Sequence, residues 1–160
     1  MISLTLLLWM TLVLYVFYFA GHVFDLLANI PNWKSGEVHD VTKYRAFYSN
    51  SSPKTYFLPL VLGTPLVSLV TLWSVWQLDG SIYLYIGISF IISVIILVLT
   101  IKIFVPINEY LFMSPESEYD PEKLKELVSK WISLDYLRLL LLGIGMLTSI
   151  LALHNYLINL

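Results

Sequence analysis

Residues 82–101 read IYLYIGISFIISVIILVLTI and contain no charged side chain. An α-helix needs about 20 consecutive apolar residues to cross the hydrocarbon core of a bilayer. Three further runs meet that criterion, at residues 1–23, 56–77 and 136–158, and the last of them includes the cation Arg138. The sequence therefore predicts four membrane-spanning helices.

The overall composition supports the same fold class. Of the 160 residues, 58% are hydrophobic and 12% are charged, whereas a soluble domain is roughly 45–50% apolar and about 25% charged. Four antiparallel helices form one bundle and one domain. We predict an all-α integral membrane four-helix bundle with up-down-up-down topology, a single transmembrane domain over 1–160 with spans of about 1–28, 56–78, 82–105 and 132–158.

The two long connections carry helical signals of their own. In the first, apolar side chains recur every three or four residues, at Val38, Val41, Tyr44 and Tyr48. This spacing predicts a short amphipathic helix lying in the membrane interface. In the second, Asp120 and Pro121 form a helix start, which predicts a cytoplasmic extension that continues into the fourth span.

The distribution of positive charge predicts the orientation. All nine Lys and Arg residues lie in the two long connections or at the helix ends beside them. Because positive charge marks the cytoplasmic side, we expect both termini outside. The net charge is −2, and the scattered cations form no basic patch, so nucleic acid is not an expected partner. The chain contains no cysteine, which excludes disulfides and thiolate chemistry.

Polar side chains gather at the predicted cytoplasmic end of the bundle. A stripe of about 80° on the first helix holds Thr11, Tyr15, Tyr18, His22, Asp25 and Asn29. The fourth helix brings Trp131, Asp135 and Arg138 to the same depth. The third run is followed by FVPINEYLF at 104–112, where we expect Pro106 to end or bend the helix and turn Asn108 and Glu109 inward. Together these residues predict a polar chamber.

The chamber combines a base, a cation and several carboxylates. His22 is a candidate general base, and Asp25, three residues later, is a candidate to orient its second ring nitrogen. Arg138 needs a counter-ion, for which Asp135 and Glu109 are candidates. The same residues also fit a purely structural role, since a buried Asp–Arg pair can simply fix helix packing.

Metal chemistry is not predicted. His22, Asp25, Glu109 and Asp135 offer one nitrogen and several oxygens, but the Glu-x-x-His pair of di-iron bundles is absent from the sequence. His39 lies in a connection, and His154 lies near the opposite end of the bundle. We therefore predict no metal or haem cofactor.

Two motifs resemble a known family. The sequence VPIN at 105–108, followed by Trp131, Asp135 and Arg138 ahead of the last span, is similar to the anthrone oxygenase-like group of small four-helix membrane proteins. In that group an Asp at position 135 is a departure, since His or Asn is usual there. The resemblance implies oxidation of an anthrone to an anthraquinone without a known cofactor, and many members are bacterial, which implies the bacterial inner membrane.

The sequence leaves three functional hypotheses. The first is a cofactor-independent oxygenase acting on an aromatic or polyketide-like lipophilic substrate. In it His22, Asp25 and Arg138 are catalytic, and the substrate-binding residues are Tyr15, Tyr18, Trp33, Asn108, Glu109, Trp131 and Asp135. The second is a non-enzymatic binding or assembly module with a structural ion pair, and the third is a small transporter. Beyond the lipid bilayer, the expected partner is a lipophilic small molecule, and the oligomeric state stays open.

Overall fold

The computed structural model describes residues 3–50, 52–77 and 80–159. Within these residues the regular structure is helical and contains no strand, in six α-helices: α1 (Leu4–Phe24), α2 (Val38–Phe47), α3 (Lys54–Val75), α4 (Gly80–Leu99), α5 (Val105–Met113) and α6 (Pro121–Ile158). The predicted domain over 1–160 also includes Met1, Ile2, Ser51, Leu78, Asp79 and Leu160, which lie outside the described residues.

Four helical segments are long and apolar enough to cross a membrane: Leu4–Asn32, Lys54–Val75, Gly80–Met113 and Pro121–Ile158. Helix α1 packs against α3 and α6, and α4 also packs against α3 and α6. The four long segments therefore close into one bundle. The predicted helical membrane fold is confirmed.

Two of the long segments contain a π-helical turn near the same end of the bundle. Asp25–Asn29 continues α1, and Thr100–Phe104 joins α4 to α5. Pro106 therefore does not end the third segment, which runs on to Met113. Pro106 lies in the first turn of α5, where its missing N–H matters little because the wider preceding turn already interrupts the regular hydrogen-bond pattern.

The predicted start of the last helix is confirmed. The Asp120 side chain accepts hydrogen bonds from the backbone N–H groups of Glu122 and Lys123, and Pro121 occupies the first turn. From there α6 runs without interruption for 38 residues. The extension beyond the predicted span thus belongs to the same helix that carries Trp131, Asp135 and Arg138.

The first connection folds back onto the bundle. Its predicted short helix is α2, and Val41 on that helix is fully buried. Arg45 ties α2 to the end of α5, because its Nη1 donates to the Ser114 carbonyl at 2.7 Å. Gly36 precedes α2 with a φ of +68°, a conformation that glycine adopts without steric cost. Helix α2 thereby covers the end of the bundle that contains the polar residues.

Candidate functional site

A cavity of about 380 Å³ lies under α2 at this end of the bundle. Its walls come from the extended first segment, from α2, from the start of α3, from the α4–α5 segment and from α6. Most of the lining is aromatic or aliphatic, and the polar exceptions include His22, Asp25 and Arg138. Such an apolar cavity with a few convergent polar groups is typical of a small-molecule site.

His22 and Arg138 meet at one carboxylate oxygen of Asp135. His22 Nδ1 lies 3.1 Å from Asp135 Oδ1. Arg138 donates to the same oxygen from Nε at 3.1 Å and from Nη2 at 2.5 Å. All three side chains are buried, with 1%, 1% and 6% of His22, Asp135 and Arg138 exposed. The cluster therefore couples α1 to α6 through one buried anion.

The environment of Arg138 explains how a cation is tolerated there. Its guanidinium carbon lies 3.8 Å from the centre of the Phe104 ring and 5.7 Å from that of Trp131. Aromatic faces attract cations, and Asp135 neutralises the charge. The Nη1 group makes no hydrogen bond to any described residue, so the guanidinium retains donors for another acceptor.

Asp25 belongs to a different hydrogen-bond chain from His22. Its Oδ1 accepts from Asn29 Nδ2 at 2.5 Å, and Asn29 Oδ1 accepts from the Tyr48 hydroxyl at 2.8 Å. The expectation that Asp25 orients His22 is therefore wrong. Asp25 begins the π-helical turn and bonds forward to Asn29 at its end, whereas His22, one turn earlier, contacts Asp135 of α6.

Asn108 and Glu109 lie on α5 and make different contacts. Asn108 Oδ1 accepts from Trp131 Nε1 at 2.8 Å, so it fixes the indole of Trp131. Glu109 lines the cavity but is solvent-exposed, and no ion pair joins it to Arg138 among the described residues. Asp135 is therefore the counter-ion of Arg138, and the expectation that Glu109 fills this role is not met.

Eight of the ten residues singled out in the sequence line the cavity: Tyr18, His22, Asp25, Trp33, Asn108, Glu109, Trp131 and Arg138. Asp135 lies behind His22 and Arg138, outside the lining. Tyr15 lies elsewhere in the bundle, where its hydroxyl donates to the Ser89 carbonyl. A Cβ at Gly145 would overlap the Tyr15 ring, so this tyrosine packs closely against α6.

Several lining residues were not predicted. The centre of the Phe57 ring lies 4.6 Å from that of His22, α2 contributes Tyr44, and Tyr48 follows the end of α2. Nothing in the sequence separates Phe57 from the other aromatic residues of an apolar run. The spacing of Tyr44 and Tyr48 was visible, but it indicated contact with a membrane interface and not with a cavity.

Comparison with known proteins identifies the family. The sequence profile of the anthrone oxygenase family matches residues 47–148. The chain belongs to the anthrone oxygenase family. This confirms the resemblance drawn from VPIN and from Trp131, Asp135 and Arg138, all of which lie inside the matched region. No curated protein matches the chain, and no solved structure does.

The anthrone oxygenase match covers only part of the site. His22, Asp25 and Trp33 precede residue 47, so one wall of the cavity lies outside the matched region. In the part of the chain that the structure describes, no group of three His, Cys, Asp or Glu side chains is arranged to hold a metal ion.

Proposed function

We propose that this chain is a membrane-embedded, cofactor-independent oxygenase that oxidises a flat aromatic or polyketide-like lipophilic substrate in the cavity. The observation that carries the proposal is the shared contact of His22 and Arg138 with Asp135 at the wall of an aromatic-lined cavity. Membership of the anthrone oxygenase family supports an anthrone as the test substrate.

His22 is the base in this proposal. The approach of Nδ1 to Asp135 favours the tautomer with its proton on Nδ1, which leaves Nε2 to accept a proton. Nδ1 lies 3.1 Å from Asp135 Oδ1 without the alignment of a hydrogen bond, and Nε2 has no hydrogen-bond partner among the described residues. Asp135 also stabilises the imidazolium that forms after proton transfer. Asp135 thus takes the orienting role first expected of Asp25, and Asp25 instead shapes the wall through Asn29.

Arg138 stabilises the oxyanion. An anthrone has a weakly acidic CH2 group opposite its carbonyl group, and loss of one proton to His22 gives an enolate whose oxygen faces the guanidinium. The enolate transfers one electron to O2, and the two radicals combine to form a C–O bond. The resulting peroxide anion takes a proton back from the His22 imidazolium, and the hydroperoxide then loses water to give the second carbonyl group. One O2 is consumed, one water is released, and no external reductant is needed.

The route of the substrate is from the bilayer. Leu58, Val105 and Met113 line the cavity and have 46%, 42% and 62% of their surface exposed. All three belong to segments that can cross a membrane, which supports entry from the lipid side, whereas the exposed residues Arg45, Lys54 and Glu109 form a polar part of the lining. A lipophilic substrate can reach His22 and Arg138 past the three apolar residues without crossing water.

A structural module is the second candidate function. A carboxylate and a guanidinium three residues apart on α6, joined to His22 of α1, would fix the register of two helices whether or not a substrate binds. This hypothesis makes Arg138 important for folding only. The oxygenase proposal requires in addition that Arg138 matter for turnover in folded protein.

Anthrone-dependent O2 uptake by the detergent-purified protein separates the two candidates. With ¹⁸O2 as the oxidant, we expect the new carbonyl oxygen of the product to carry the label, at a rate above the spontaneous oxidation of anthrone. Chelator treatment and elemental analysis should show unchanged turnover without a stoichiometric metal. Label incorporation no faster than in buffer would contradict the proposal, and turnover lost with a removed metal would contradict its cofactor independence.

A further inference from the structure

The indole N–H of Trp33 is a buried donor at the wall of the cavity without an acceptor. Trp33 is 2% exposed and lines the cavity, yet its Nε1 makes no hydrogen bond to any described residue. Trp131, in the same cluster, has its Nε1 bonded to Asn108. Because an unpaired buried donor costs free energy, most such groups in proteins have a partner. The Trp33 N–H therefore indicates a missing acceptor.

The ring of Trp33 is held in place on several sides. Its centre lies 5.1 Å from that of Trp131 and 5.5 Å from that of Phe112, both in edge-on arrangements, and 5.8 Å from that of Tyr44. These contacts leave little free face on which a flat ligand could stack. The position of Trp33 thus suits hydrogen bonding through the N–H better than stacking on a flat ligand.

Tyr44 places a second donor beside it. The centre of its ring lies 5.8 Å from that of Trp33, and Tyr44 also lines the cavity. Burial raises the pKa of Tyr44, with the Asp25 and Tyr48 groups adding to the effect. The phenol therefore keeps its proton and remains a donor. Two donors facing one cavity match an acceptor such as a carbonyl or hydroxyl oxygen.

We infer that Trp33 and Tyr44 form a second polar anchor, which binds an oxygen on the edge of the substrate remote from the oxygen held by Arg138. This inference rests on the proposed function. Trp131 lies between the two anchors, 5.1 Å from the ring of Trp33 and 5.7 Å from the Arg138 guanidinium carbon. The site thereby favours flat polycyclic molecules that carry a second oxygen besides the carbonyl group held by Arg138.

Equilibrium binding tests the anchor without turnover. The probes are 9,10-anthraquinone, which has carbonyl groups on opposite edges, and anthracene, which has the same three-ring frame and no oxygen. For Trp33→Phe and for Tyr44→Phe, we expect anthraquinone affinity to fall about five- to tenfold, the effect of one lost hydrogen bond. Anthracene affinity should stay unchanged, which would also show that the cavity is intact.

Trp73→Phe is the matched control, because Trp73 is 79% exposed and does not line the cavity. It should bind both probes like the wild type. Equal losses for both probes in Trp33→Phe would overturn the anchor, since they would indicate a packing effect. Unchanged anthraquinone affinity would overturn it too, because the N–H would then be satisfied by water.

The two proposals can fail separately. Absence of anthraquinone binding to the wild type would overturn the anchor even if anthrone-dependent O2 uptake were present. The wild type could bind anthraquinone more tightly than anthracene, lose that preference in Trp33→Phe, and still show no anthrone-dependent O2 uptake. That result would support the anchor and contradict the oxygenase proposal.

Discussion

Asp135 Oδ1 lies 3.1 Å from His22 Nδ1, which joins α6 to α1 inside the bundle. The same oxygen accepts two hydrogen bonds from Arg138. One carboxylate thus orients the candidate base and neutralises the candidate oxyanion-binding group. Residue 135 therefore carries the side chain on which both catalytic candidates depend.

We expect Asp135 to matter much more than Asp25 for both stability and turnover. Asp135→Asn leaves the buried Arg138 without a counter-ion, so we expect the free energy of unfolding to fall by about 3 kcal/mol or more and turnover to be lost. Asp25→Asn removes only the charge of a carboxylate bonded to Asn29, and we expect a loss of about 1 kcal/mol with most turnover retained. Thermal unfolding in detergent, together with O2 uptake, measures both. Equal effects of the two changes would contradict the assignment of Asp135 as the partner of His22.

Because Tyr15 packs closely against Gly145, we expect even a small side chain at position 145 to lower the thermal stability of the protein. In Gly145→Ala the added methyl group overlaps the Tyr15 ring, and overpacking of this kind costs about 1–3 kcal/mol. Gly63→Ala is the matched change in α3, since nothing lies within 4 Å of its added Cβ. It should leave thermal stability at or above that of the wild type, because alanine favours helix more than glycine. A stable Gly145→Ala would show that α1 and α6 are less closely packed than described.

If the substrate enters from the bilayer, a bulky side chain at the rim of the cavity should hinder its entry, whereas the same side chain away from the rim should not. Leu58→Trp adds bulk at the apolar rim of the cavity, so we expect the KM for anthrone to rise several-fold while thermal stability changes little. Leu62→Trp is the matched control, one helical turn further along α3, where Leu62 is 51% exposed and does not line the cavity. Kinetics in lipid nanodiscs measure the difference. The same KM in both variants would argue for access from the aqueous side.

The proposed orientation can be read from chemical labelling, because the chain has no cysteine of its own. With both termini outside and the long connections in the cytoplasm, Asn159→Cys should react with a membrane-impermeant maleimide in intact cells. Glu116→Cys should react only after the membrane is permeabilised. The reverse pattern would show that the distribution of Lys and Arg gives the wrong orientation, and it would place the cavity at the outer face.

Much of the architecture was predictable because membrane spans depend on local composition. Four apolar runs were enough to predict the bundle. Asp120 followed by Pro121 was enough to predict where α6 begins. Polar residues from three segments converge at one end of the bundle, and this predicted which end contains the cavity. Polar side chains that face lipid elsewhere would cost free energy. These signals lie in the sequence itself and need no knowledge of how distant segments pack.

The partners within the site were harder to predict because they depend on backbone irregularities. Periodicity does not indicate the π-helical turns at Asp25–Asn29 and Thr100–Phe104, which break the regular helical spacing assumed for the segments that contain α1 and α4. As a result Asp25 was paired with His22 and not with Asn29. The folding of α2 onto the bundle, which brings Tyr44 beside Trp33, is a tertiary contact that periodicity alone does not encode.

The most direct test of the account is anthrone-dependent O2 uptake by His22→Gln beside His154→Gln. His154 is exposed and lies far along α6 from the cavity, so its change controls for a histidine lost from the same membrane protein. We predict that His154→Gln keeps wild-type turnover and that His22→Gln, with unchanged thermal stability, falls at least about a hundredfold, as expected for loss of a general base. Full activity in folded His22→Gln would contradict the central claim that this histidine removes the substrate proton.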